Sequence, residues 1–299
     1  MIDPIDLRVD GIEGAIGVWV LEGPEPALID PGPSTCLGRL EEGLAERGLT
    51  LSDLARVYLT HIHLDHAGVT GHLVRRVPGL EVVVHEEGAP HLVDPDRLVA
   101  STRRTFGASH DRLWGEVLPV PVERIRAWAP GGPSVGALRA VPSPGHIAHH
   151  LAWLDEETGT LYSGDALGIL LAPGAPVHPP TPPPSLDAAA WQRTLGALAA
   201  LGAERAAAAH FGVHADPAGR ARELAAVLDA LLGRVQHALR TGDAEAGARY
   251  EREVRDRLAP FTGRERVERY FDAFRAETDW NGVVLHLQRL ARARAEGAS

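Results

Sequence analysis

Between Thr60 and Gly68 the chain reads Thr-His-Ile-His-Leu-Asp-His-Ala-Gly, so His61, His63, Asp65 and His66 set four candidate metal ligands within six positions, directly after an apolar run. That density is hard to explain as packing, and a surface loop with scattered histidines is the bland alternative. Imidazole and carboxylate together suit zinc, and also iron or manganese. If Val57–Thr60 is a strand, His61 and His63 stand two apart and project to one side of it. The following turn then swings Asp65 and His66 into the same space, at a helix start whose unpaired N–H groups favour a carboxylate.

The rest of the chain bounds what can surround such a cluster. A length of 299 residues suits one large domain with an appended subdomain, and a hydrophobic fraction of 44% is enough for a substantial core. The formal charge is −10, and every basic residue is arginine. An acidic chain is not steered towards nucleic acid or an anionic membrane, so a nucleic-acid partner is disfavoured. Cys36 is the single cysteine, which excludes an intrachain disulfide and fits a reducing compartment. The acidic N-terminus lacks an apolar signal segment and no run of about 18 apolar residues occurs, so a cytoplasmic protein with no membrane span is expected.

Hydrophobic periodicity predicts an α/β alternation. Strands are expected at 15–21, 27–29, 57–60, 81–85, 135–141, 150–154, 160–162 and 206–209, with helices at 34–47, 69–77 and 186–201, the last capped by Ser185 or Asp187. Residues 86–130 are broken by prolines and read as an insert. Residues 168–185 read as an extended, proline-dense linker. Past Asp216 the composition shifts to Ala, Arg, Glu and Leu at helical spacing, predicting helices at 218–240, 243–259, 264–276 and 279–295, broken by Gly242, Pro260 and Asp279. The boundary gives one α/β domain over 1–215, which holds the ligand cluster, and a helical C-terminal subdomain over 216–299. Core packing is the favoured role of its aromatic residues; a substrate lid or a homodimer surface is the sharper one.

Three later segments extend the pattern: Ser143-Pro144-Gly145-His146, Tyr162-Ser163-Gly164-Asp165-Ala166 and Ala208-Ala209-His210-Phe211-Gly212. With H-x-H-x-D-H, these four pieces, in this order, resemble the metallo-β-lactamase-fold hydrolases, whose relatives include glyoxalase II, lactonases and ribonuclease Z. The resemblance covers roughly residues 12 to 214 and implies a four-layer αββα sandwich. Carried over residue by residue, it implies one metal ion on His61, His63 and His146 and a second on Asp65, His66 and His210, bridged by Asp165. Two divalent ions, zinc before manganese or iron, would then hold a bridging hydroxide as nucleophile, with Asp65 orienting it or relaying its proton. Asp30 and His150 would support the ligands from behind, and His149 reads as a surface residue. The insert lies between ligand segments, so Arg103, Arg104, His110 and Trp114 are candidate substrate contacts, as is His178 at the rim; a solvated helix face or linker is the plainer reading.

The activity implied is hydrolysis of a small thioester, ester or lactone. Against the lactonases, Leu167, Gly168 and Ile169 stand where those relatives carry a tyrosine; against strict glyoxalase II, no lysine is present for a glutathione carboxylate. A phosphodiesterase or ribonuclease is the alternative and would need an arginine-lined groove. A mononuclear iron persulfide dioxygenase would use fewer of the ligands, and a non-enzymatic relic would lack some.

Overall fold

The computed structural model describes residues 3–297. One sheet runs, in spatial order, β1 (Ile5–Asp6), β2 (Gly17–Leu21), β3 (Ala27–Ile29), β4 (Arg56–Tyr58), β5 (Glu81–His85) and β6 (Ile125–Trp128); the other holds β7 (Leu138–Pro142), β8 (Leu151–Asp155), β9 (Thr160–Gly164), β10 (Arg205–Ala208) and β11 (Gly212–Ala215), in the order β11-β10-β9-β8-β7. The helices are α1 (Leu37–Ala45), α2 (Leu64–Ala67), α3 (Thr70–Arg76), α4 (Ala89–Val93), α5 (Asp96–Phe106), α6 (His110–Trp114), α7 (Ala188–Ala199), α8 (Pro217–Thr241), α9 (Ala246–Thr262), α10 (Arg264–Phe274) and α11 (Ala276–Gly297). The strands β3 to β6 are mutually parallel, as are β9 and β10, so each join is a crossover, and helices fill these crossovers on the outer faces.

Strand alternation builds the layers. Ile29, Tyr58 and Val83 face inward against Ala140, Trp153, Tyr162 and Ala207 of the second sheet, and form one apolar cluster. Their neighbours Leu28, Val57, Val82, Leu161 and Ala206 point the other way and join the helices in a second cluster. Edge contacts Trp19–Tyr162 (5.9 Å) and Tyr58–Trp153 (5.1 Å) bridge the sheets. The architecture is the expected helix–sheet–sheet–helix sandwich.

Three local expectations are corrected. β4 stops at Tyr58, so His61 and His63 stand on the loop after a strand, where backbone freed from the ladder can turn their rings together. The insert carries three helices and supplies the edge strand β6, and β11 hairpins back on β10; both strands are too short to show a period in sequence. Pro260 lies inside α9, which runs on to Thr262.

The C-terminal helices share the outer core. Leu224, Leu228 and Leu231 of α8 and Val267 and Phe271 of α10 belong to the same buried cluster as Trp191, Leu195 and Leu198 of α7. The linker is buried as well: Val177, His178, Pro180 and Thr181 are enclosed, and Asp279 of α11 accepts hydrogen bonds from His178 Nε2 (2.8 Å) and the Thr181 amide (2.7 Å). A chain ending at Asp216 is therefore expected to lose cooperative unfolding in urea, because removing α8 uncovers the apolar face of α7; a steep transition like that of the full chain would show that residues 1–216 fold alone.

Candidate metal centre

The strand ends deliver the cluster. The loop after β4 carries His61, His63, Asp65 and His66, the loop after β7 carries His146, Asp165 follows β9 and His210 follows β10. Two groups of ligand atoms result, His61/His63/His146/Asp165 and Asp65/His66/His210, with the atoms of each within 4.8 Å of one another. Asp165 stands between them. Its Oδ2 faces His146 Nε2 (3.3 Å) and His61 Nε2 (4.0 Å), while its Oδ1 faces His66 Nε2 (3.4 Å) and His210 Nε2 (3.6 Å). Asp65 Oδ2 lies 3.3 Å from His210 Nε2 and 3.6 Å from His66 Nε2.

Elementary donor and acceptor rules fix the tautomers of three rings. His146 Nδ1 meets the Pro180 carbonyl at 2.8 Å and His210 Nδ1 the Ala15 carbonyl at 2.9 Å. A carbonyl only accepts, so each Nδ1 carries a proton, and in the neutral ring each Nε2 turns a bare lone pair inward. His66 Nδ1 likewise donates to Asp30 Oδ2 (2.9 Å). Its lone pair thus confronts the carboxylates of Asp65 and Asp165, and both His66 Nε2 and Asp165 Oδ1 are buried without a hydrogen-bond partner. Acceptor against acceptor at these distances is repulsive unless positive charge lies between them. His63 Nδ1 lies 2.9 Å from His61 Nε2 and 2.8 Å from His146 Nε2, so a third lone pair joins the first group. Three imidazoles on one side and two imidazoles with Asp65 on the other, with Asp165 between, are donor sets that suit a divalent cation on each side.

The electrostatics agree. Burial pushes His63 down to about 3, with His146 adding to the effect, and burial together with the neighbouring imidazoles holds His61 well below the ordinary range. Both stay neutral, as a ligand must. At His66 burial also disfavours charge, but the carboxylates of Asp65, Asp165 and Asp30 outweigh it and hold the ring well above its ordinary pKa. The field at that point stabilises positive charge, whichever cation carries it.

Asp30 supports the ligand loop from behind. Its Oδ1 accepts the Thr60 amide (2.8 Å) and its Oδ2 the Thr60 hydroxyl (2.7 Å) as well as His66. It sits at φ 51°, the left-handed region that aspartate tolerates. His150 accepts the Asp165 amide at Nε2 (3.2 Å) and its ring stacks on His61 at 4.9 Å. Gly164, with φ 49°, must be glycine, because a β-carbon there would overlap Thr60 and His150.

A cavity of about 460 Å³ opens above the cluster. Trp114 lines it, as expected of a pocket residue, but several other candidates do not. Arg103 turns to the surface and pairs with Asp111 (2.7 Å), and Arg104 is exposed on the outer face of α5. His110 is buried behind Thr102 (2.9 Å), and His178 is sealed against Asp279 because α9 and α11 cover the linker. His149, expected at the surface, is buried and lines the cavity, since the insert closes over its loop. Tyr270 was missed as a site residue: its Oη lies 3.3 Å from His210 Nδ1, and its ring stacks on Phe274 at 4.6 Å. It lies 60 residues past His210, where periodicity shows only an apolar helix face.

The metallo-β-lactamase superfamily family model matches residues 15–210. The chain belongs to this superfamily. Within it, the chain is 26% identical over 180 residues to the "Probable metallo-hydrolase YqjP" of Bacillus subtilis, covering 52% of this chain and 53% of that relative. It is 32% identical over 108 residues to a hydroxyacylglutathione hydrolase of Synechococcus, covering 36% of this chain and 38% of that one. The chain thus spans about half or less of the length of these curated relatives. Among solved structures, the metallo-beta-lactamase family protein TTHA1429 of Thermus thermophilus superposes with a TM-score of 0.60 at 25% identity, covering 92% of this chain and 89% of that one. The superfamily match ends at His210, so Tyr270 and the helix that carries it fall outside it.

Asp30→Ala is expected to weaken metal binding about 10- to 100-fold, because His66 loses the partner that fixes its tautomer. Competition against a chromophoric chelator measures this, with the exposed Arg104→Ala as a control expected to bind as the parent chain does.

Proposed function

We propose that the protein is a dinuclear metal-dependent hydrolase acting on the carbonyl of a small ester, thioester or lactone. The observation that carries this reading is the placement of both ligand groups, with Asp165 between them, on the floor of a largely apolar cavity. In this reading His61, His63 and His146 hold one ion, Asp65, His66 and His210 hold the other, and Asp165 bridges. Zinc is favoured because five of the seven donors are imidazoles, while iron or manganese would accept the same set. When bound, such a pair of cations supplies a water ionised near neutral pH and a positive field for the oxygen that gains charge; one Zn²⁺ alone brings water from about 15.7 to about 7.

The chain's own residues supply the rest. The side chain of Asp65 is 18% exposed against 4% for Asp165, so Asp65 is the carboxylate that reaches the cavity and can accept a proton from the attacking water. Asp165 is placed to hold the two sides at fixed spacing. The apolar wall excludes bulk water and strengthens every charge interaction beside it. A phosphodiester substrate is disfavoured: a phosphate backbone needs guanidinium groups, and among the residues lining the cavity the only arginine is the exposed Arg97. A persulfide dioxygenase needs a single ion, whereas both ligand groups are assembled.

Among the described residues no helix is long and apolar enough to cross a membrane. Cys36 is free and buried, which pushes its thiol up to about 11 and fits a cytoplasmic setting without a redox or ligand role. Elemental analysis of the purified full chain is expected to give close to two divalent ions per chain, and chelation should abolish ester and thioester hydrolysis reversibly. Asp165→Asn should remove turnover while far-UV circular dichroism stays native. Metal content below one ion, or undiminished turnover in Asp165→Asn, would overturn the dinuclear assignment.

A further inference from the structure

The wall of the cavity is more specific than its floor. From the insert, Phe106 meets Trp114 at 5.1 Å; Trp114 meets Phe274 of α10 at 5.9 Å; Phe274 stacks on Tyr270 at 4.6 Å and lies 6.0 Å from His210. A continuous aromatic surface therefore runs from the insert, across the C-terminal helices, to an imidazole of the metal cluster. Leu98 of α5, Ile62 and Ile147 add aliphatic surface. Of the carboxylates lining the cavity, Asp65 and Asp165 belong to the candidate metal ligands; away from them stand Asp279, held by His178 and Thr181, and the exposed Arg97 of α5.

A carboxylate brought against the aromatic wall would lose its hydration among Phe106, Trp114, Phe274 and Tyr270, none of which can pair with its charge, which is costly. An alkyl or aryl group gains by the same transfer. The volume of about 460 Å³ is that of a site for a whole small molecule, well beyond what an acetyl group would fill.

Resting on the hydrolase reading above, we propose that this cavity is an acyl site. It takes the uncharged, medium-length alkyl or aryl acyl group of the substrate, laid along Phe106, Trp114, Phe274 and Tyr270 with its carbonyl at the His210 end. Specificity for that group is set by two segments far apart in sequence, α5–α6 of the insert and α10 of the C-terminal helices. Acyl groups that end in a carboxylate are rejected.

The test uses the metal-loaded full chain and p-nitrophenyl acetate, butyrate, octanoate and hemisuccinate. Each added methylene should raise kcat/KM about two- to fourfold, so octanoate, six methylenes longer, should exceed acetate by about 60- to 4,000-fold. Hemisuccinate should fall about 10-fold or more below butyrate, which has a similar reach. Phe274→Ala and, separately, Leu98→Asp should each cut the octanoate-to-acetate ratio about 10-fold or more at unchanged metal content. A flat chain-length series, hemisuccinate as good as butyrate, or an unchanged ratio in both variants would overturn the proposal. A second readout does not depend on turnover: titration calorimetry of octanamide into the metal-free full chain should show saturable binding that Leu98→Asp abolishes, and no binding would count against the acyl site. If a chain holding two ions hydrolysed no ester or thioester at all, the hydrolase reading would fail while octanamide binding still decided the acyl site.

Discussion

The structure depends on keeping apart acceptors that repel one another. Five imidazole nitrogens and the oxygens of two aspartates meet at the edge of two sheets, several of them as lone pairs facing lone pairs at 2.8–3.6 Å in a buried place. Three of the imidazoles are braced from the far side by a group that only accepts: the Pro180 and Ala15 carbonyls behind His146 and His210, and the Asp30 carboxylate behind His66. The braces come from loops of both sheets, so the sandwich must be complete before the centre exists.

Burial of this kind needs a roof, and two segments far apart in the chain provide it. The insert closes one side with α5 and α6, and α10 closes the other, so the aromatic contact between Trp114 and Phe274 joins them directly. The linker between β9 and α7 is drawn under the same roof. Its His178 and Thr181 are fastened to Asp279, which ties the position of α11 to the chain that supplies the brace for His146. The cavity and the C-terminal packing are thus one structure, with α10 and α11 forming part of the cavity wall.

Much of the centre could be read from the chain because ligand chemistry is local. His61, His63, Asp65 and His66 fall within six positions, and each later ligand follows an apolar stretch at a strand end. The alternation in β3, β4, β5 and β9 was likewise visible, since one residue in two faces the opposite sheet. The misread residues share a cause. Arg103 and Arg104 are candidates because their insert lies between ligand segments, yet which face of α5 they occupy depends on what α5 packs against, and the plainer reading of a solvated helix face holds for both. His149 and His178 looked solvated because their loops are polar and proline-rich, and only the closing of α5 and α11 over them buries both.

The sequence by itself determined the donor set and its order along the chain, through residue chemistry, and the α/β alternation, through periodicities of two and 3.6 residues; the two-sheet sandwich was implied by the family resemblance of the four motifs. Tertiary structure alone decided that Tyr270 reaches His210, that the cavity wall is built of aromatic rings, and that α10 and α11 help enclose it. The physical reason is that a side chain's neighbours across about 60 residues or more are set by how amphipathic faces bury one another, and that pairing leaves no local signature.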